Sequence, residues 1–228
     1  MLYDKGMILG HYAVALAAKR YAPRTSLGTL ILAAQLLDLI WPLFLLAGWE
    51  RVHIVPGLMR ASPFDFEHYP ISHSLLAALV WGALLGGGYH VFRRYPRGAA
   101  AIGIAVVSHW LLDVPMHRAD LPLWPGGATK IGFGLWNSVA ATIFVEVSLL
   151  AAGVAIYTRV TQPRERAGTR GLVAMIAVLV LIFLVGLFGP AIGSERTLAL
   201  FSLMLWLFVP WGYWVDRHRA PSRLHGGF

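Results

Sequence analysis

The sequence contains no cysteine and little charge. Of its 228 residues only 13% are Asp, Glu, Lys or Arg, against about 25% in soluble domains. Without cysteine there are no disulfides and no thiolate metal sites, so any metal must be held by His, Asp or Glu. Acids are the scarcest charge, 11 against 19 basic residues, and the net charge is +8. No internal repeat or low-complexity tract is evident. What the chain does have is apolar surface: 57% of its residues are hydrophobic and the mean hydropathy is +0.64. That composition is a membrane protein's, not that of a globule with a large core.

Apolar runs long enough to span a bilayer fall at about 27–47, 72–92, 98–114, 134–158, 171–189 and 197–215. A seventh, 6–19, is short and carries His11. It loosely imitates a signal peptide, but His11 and Tyr12 interrupt its apolar stretch, so it reads as retained. The backbone must satisfy itself in lipid, which leaves helices as the spanning form. The expected fold is an all-α polytopic transmembrane bundle of six or seven spanning helices. Residues 1–158 read as a membrane-embedded core, 159–215 as two accessory helices, and 216–228 as a basic, disordered tail.

The basic residues set the expected orientation. Connections 19–26, 93–97 and 159–170 and the tail hold 13 of the 19 Lys and Arg, so this side reads as cytoplasmic. The long connections 48–71 and 115–133 then lie outside an inner membrane, with Trp41, Trp49, Trp110, Trp124 and Trp136 near that boundary as an aromatic belt. Topology thus accounts for the basic excess, and no nucleic-acid partner is expected. The expected partner is the lipid bilayer.

Ionisable groups inside spans cost roughly 2.5–3.5 kcal/mol each at the centre and need a reason. They are His11, Asp38, His73, His109, Asp113 and Glu146, with His68 and His117 just outside. Traced along alternating helices, all six fall at one depth, in the outer half of the bundle. His109 and Asp113 are four residues apart, hence on one helical face. Histidine with carboxylate suits zinc or another divalent ion. Pro115 is expected to end that helix and leave His117 on a loop, as a metal or substrate contact. Pro42 is expected to kink the helix that carries Asp38, and Ser72 to cap the one that begins at His73. Gly82 and Gly86 have the spacing of close helix packing.

In order along the chain, these pieces resemble the YdjM-like family of membrane-bound metal-dependent hydrolases. That family shows an early His, then Pro-Asp-x-Asp, His-Arg-Gly-x-Thr-His-Ser and His-x-x-x-Asp. Here the matches are His11, then Leu37-Asp38-Leu39-Ile40, then His68-Tyr69-Pro70-Ile71-Ser72-His73-Ser74, then His109 with Asp113. Leu37 and Ile40 replace the Pro and second Asp of the first motif, and Tyr69-Pro70 replaces Arg-Gly. A second metal then needs a substitute ligand, for which Glu146 or His117 is the candidate.

The resemblance implies a hydrolase with one or two divalent ions, zinc by expectation. His11, Asp38, His73, His109 and Asp113 are the expected ligands, and Glu146 or His68 the expected general base. A lipid or phosphoester substrate would suit a site at headgroup depth, with Arg118 and Lys130 holding a phosphate. Two other readings use the same groups: a transporter with a proton or metal relay, and a structural or partner-binding protein in which the polar cluster joins helices.

Overall fold

The computed structural model describes residues 8–190 and 192–222. Lys5, Arg223 and the last residues of the expected tail lie outside this range, as does the start of the 6–19 segment. The chain begins with α1 (Leu9–Ala18), followed by α2 (Leu27–Ala34) and α3 (Leu36–Leu46). A hairpin of β1 (Arg51–Ile54) and β2 (Phe64–His68) leads into the single turn α4 (Pro70–His73), then α5 (Leu75–Arg93) and α6 (Pro96–Met116). The two-residue strands β3 (Leu121–Pro122) and β4 (Lys130–Ile131) precede α7 (Val139–Val160). The strand β5 (Thr161–Pro163) and α8 (Arg166–Phe188) follow. Then come α9 (Glu195–Ser202), a 3-10 segment Leu203–Leu207, α10 (Phe208–Arg217) and β6 (Arg219–Pro221).

The architecture is the expected helical membrane bundle. The helices α5, α6, α7 and α8 and the stretch Glu195–Arg217 are each long and apolar enough to cross a membrane. The pair α2–α3, bent by 55°, is long and apolar enough only when taken together, as a broken span or a re-entrant loop, so five or six spans result. With ten residues, α1 rises only about 15 Å. It is apolar nearly all round and sits inside the bundle against α7, α2 and α6, which is how a helix without a polar face is accommodated. Serine begins four helices: Ser26, Ser74, Ser138 and Ser194 each accept a hydrogen bond from the amide three residues on. The cap of α5 is therefore Ser74 and not Ser72.

The small residues do what their spacing predicts. A Cβ at Gly82 would lie 2.9 Å from the Gly103 carbonyl oxygen, and one at Gly86 2.7 Å from that of Ala99, so α5 and α6 meet backbone to backbone.

Of three local expectations, two fail for physical reasons and one holds. The α2–α3 bend of 55° falls at Gln35, whose φ of −102° and ψ of 2° leave the helical region, whereas Pro42 stays inside α3. Pro115 does end α6 to within one residue: the helix closes at Met116 and His117 follows with extended backbone. Residues 216–222 are not disordered: β6 pairs with β5, and buried Arg219 donates to Thr161 Oγ1, Thr161 O and Gly168 O. Lys19, also buried, meets Asp216 at 2.7 Å and ties the end of α1 to α10.

Candidate metal centre

Five side chains from four helices converge where α1, α4 and α6 meet α3. From α1 comes His11, from α3 Asp38, from α4 His73, and from α6 His109 and Asp113. They form a continuous chain of contacts. His11 Nε2 lies 3.2 Å from Asp113 Oδ1, and Asp113 Oδ2 lies 3.5 Å from His109 Nε2. His109 Nε2 is 3.6 Å from Asp38 Oδ1, which is 3.4 Å from His73 Nε2. Two groups of three potential ligands result, His11–His109–Asp113 and Asp38–His73–His109. The His11 and His109 rings stack with centroids 3.6 Å apart. All but Asp38 are buried, and Asp38 is 23% exposed at its side chain.

The backbone and a second set of side chains fix how these imidazoles present themselves. At the Gln35 bend the Ala34 carbonyl accepts a 2.8 Å hydrogen bond from His109 Nδ1. A carbonyl only accepts, so Nδ1 carries the proton and the neutral ring turns a lone pair at Nε2 toward Asp38 and Asp113. At His73 the logic runs through a serine. Ser72 Oγ gives its one proton to Glu50 Oε2 at 2.6 Å, so it accepts from His73 Nδ1 at 2.7 Å. The neutral His73 ring therefore also offers a bare Nε2. Such outer partners characteristically orient metal-binding histidines.

Glu50 is a residue that sequence reasoning misses. It lies in the long 48–71 connection, yet it is buried. It also accepts from the amides of Ile71 and Ser72 at 2.7 and 2.8 Å, capping α4, whose own N-cap residue Tyr69 supplies no side-chain bond. Its reach across 21–22 residues leaves no sequence signal beyond a carboxylate near an apolar boundary.

Other predicted residues are placed differently. Glu146 is outside both ligand groups. Its carboxylate accepts from the amides of Ile8 at 3.1 Å and Gly10 at 2.9 Å, capping α1, which also lacks a cap of its own. His68 is exposed on β2 opposite Arg51 and belongs to neither group. Arg118 is committed to Asp65 and Asp120 rather than free for a phosphate. Lys130 is exposed and donates to the Glu67 carbonyl.

His117 is buried and not a loose loop residue. Its Nδ1 lies 2.9 Å from Asp120 Oδ1, and its ring packs between Phe66 and Trp136. Asp120 is also met by Tyr69 Oη and Arg118 Nε. Burial, with the Asp120 charge second, holds the Tyr69 phenol well above its usual pKa, so it remains a donor to Asp120.

A cavity of about 80 Å³ opens beside the cluster. Asp38, His73, Asp113 and His117 supply its polar wall, and Trp41, Phe64, Phe66 and Trp136 much of the apolar one. Two of the tryptophans assigned to an aromatic belt, Trp41 and Trp136, are thus buried in the site wall. The helix α9 and the segment after it close the remaining side with Leu198, Ser202 and Leu205. The second of the two accessory segments therefore contributes to the site's enclosure.

His53 fastens that side wall. Its ring bridges Glu195, at the start of α9, and Glu67 on β2, both at 2.9 Å. These hydrogen bonds, Glu195 first, raise the His53 pKa above 6.5. A raised folded pKa means the contact stabilises fully below the ordinary histidine value and is lost as pH rises through the folded one. Amide exchange in 195–202 is expected to quicken as pH is raised through that range, beyond the intrinsic base dependence. In His53→Gln the excess should vanish; an excess of equal size in the variant would refute the clamp.

Among curated proteins and solved structures, no match to this chain is found. The model of the YdjM inner membrane protein family matches residues 1–193, which takes in the whole cluster and every helix up to α8. The chain belongs to the YdjM inner membrane protein family.

Proposed function

We propose that the protein is an integral-membrane metal-dependent hydrolase holding one divalent ion, zinc by ligand type, at the His/Asp cluster. The observation that carries this reading is geometric: the His73 and His109 rings are each fixed by a partner on Nδ1, and the Nε2 atoms of both face Asp38 Oδ1, where a metal ion would replace any second ring proton. A tetrahedral ion with bonds of about 2.0–2.1 Å needs ligand spacings of about 3.3–3.4 Å. The His–carboxylate pairs, at 3.2–3.6 Å, bracket that value, and within each group of three all ligand atoms lie within 4.8 Å of one another. A single Nε2 lone pair on His109 serves one ion at a time, and both ligand groups share it. This favours one ion over two.

A bound divalent ion would polarise the scissile group and make bound water ionisable near neutral pH. The chain's own residues supply the rest. Asp120 orients His117 through Nδ1, which leaves Nε2 to take a proton from water or give one to a leaving group at the cavity wall. The apolar wall excludes bulk water and suits the ester or phosphoester of an amphiphile. No Lys or Arg stands among the described residues lining the cavity, so an anionic group would face the ion itself.

The test is metal analysis of protein purified without chelators, together with hydrolysis of p-nitrophenyl phosphorylcholine and of a diacyl phospholipid in detergent. The expected result is near-stoichiometric divalent metal with turnover. His117→Gln should keep the metal and lose about 10²–10⁴ in rate. Metal-free wild type would end the metalloenzyme reading.

A further inference from the structure

At the opposite end of the bundle is a second concave site, independent of the hydrolase reading. It encloses about 170 Å³ and is lined by Arg24, Tyr89, Phe92, Arg93 and Tyr95. Two guanidiniums face one pocket, and no carboxylate lines it or pairs with either of them among the described residues. Two acids from connections of the same basic side are engaged elsewhere, Asp216 with Lys19 and Glu165 with His218.

The pocket is shaped rather than incidental. The Arg24 guanidinium is held over the Tyr95 ring, 4.8 Å from its centroid. Tyr89 Oη donates to Thr25 Oγ1 at 3.2 Å, which fixes the opposite wall. The two walls close on Gly98: a Cβ there would fall 2.5 Å from Thr25 Oγ1, 2.6 Å from Tyr95 and 2.7 Å from Tyr89. Arg94, in the left-handed region at φ 47°, makes the tight turn that sets Arg93 beside Tyr95.

Depth and surroundings indicate the ligand. Along α6, Tyr95 and Asp113 are separated by about 27 Å, close to the roughly 30 Å of a bilayer's hydrocarbon core. The pocket thus stands at the other membrane boundary from the cluster. Beside it, Phe92 and Val91 are 85% and 68% exposed, apolar surface where acyl chains would lie. Paired guanidiniums match phosphate oxygens by bidentate hydrogen bonding. We propose that this pocket binds the phosphodiester headgroup of an anionic phospholipid, with Arg24 and Arg93 on the phosphate and Phe92 against the chains.

The experiment is native mass spectrometry of the full chain in detergent with dioleoylphosphatidylglycerol, dioleoylphosphatidylcholine or inorganic phosphate. Wild type should retain phosphatidylglycerol about tenfold better than phosphatidylcholine, whose choline adds a cation beside two arginines. Arg24→Gln/Arg93→Gln should abolish the preference. Both residues are exposed, and an unchanged unfolding temperature without lipid would show the fold intact. Arg51→Gln/Arg196→Gln, the same charge change at the other end, should leave it in place. A preference that survives in the first variant, or falls equally in the second, overturns the site. So does wild type without preference. Displacement of the lipid by inorganic phosphate would make this a soluble-anion pocket and overturn the lipid assignment.

Discussion

Asp113→Ala is expected to cost the purified protein its metal, with affinity falling by more than about 100-fold. Losing an outer partner of a ligand typically costs about 10–100-fold, and Asp113 is a direct ligand in the proposed centre. Among the described residues it is also the one carboxylate within ion-pair distance of both His11 and His109. Its removal leaves two stacked, buried imidazoles, and His11 already has neither ring nitrogen in a hydrogen bond. Asp113→Asn keeps the shape without the charge and should lose metal nearly as completely. Ser72→Ala, by contrast, removes no ligand, only the anchor of one imidazole and a hydroxyl donor to Glu50, and serves as the milder comparison. Inductively coupled plasma mass spectrometry on protein purified in parallel provides the measurement. Wild-type metal content in Asp113→Ala would remove this carboxylate from the centre and the centre from its proposed form.

Glu146→Ala should be the most destabilising single change among the polar residues, by roughly 2–6 kcal/mol. It strips the acceptor from two amides at the start of a buried helix, at about 1–3 kcal/mol each, and water inside the bundle cannot replace it. Glu146→Gln retains one carbonyl oxygen and should lose about half as much. Titration with a denaturing detergent would measure both. This separates the capping role from the general-base role that the sequence suggests. A base would make Glu146→Gln inactive at undiminished stability, whereas a cap makes both variants unstable in proportion to the acceptors removed.

The fold is legible in the sequence because spans announce themselves. Long, predominantly apolar runs mark every long helix, with only a few ionisable residues inside them. The agreement in depth of His11, Asp38, His73, His109 and Asp113 points to one shared location, and the five side chains do meet. The i, i+4 spacing of His109 and Asp113 is local and needs nothing more. What stays hidden is long-range. Glu146 inside a span looks like a functional carboxylate, and nothing near it reveals that its partners are the amides of residues 8 and 10. Glu50 looks like one more acid in a long connection. Proline is a visible breaker, so the sequence points to Pro42 for the bend; a glutamine in the bridge region carries no such mark. Pro115 likewise argues for a loop at His117, although the burial of that ring comes from Phe66 and Trp136, about 50 residues upstream and 19 downstream.

The two distant caps bear on the order in which the chain is made. His11 and His73 each stand in the first turn of a helix started by a carboxylate from another segment. Glu50 leaves the ribosome ahead of the turn it caps; Glu146 emerges 136 residues after Gly10, later than all five residues of the cluster. A nascent chain that has reached Asp113 therefore carries every ligand without the anchor that seats α1. A product truncated before α7 would carry the full set of ligand side chains without the acceptor that caps the helix bearing His11.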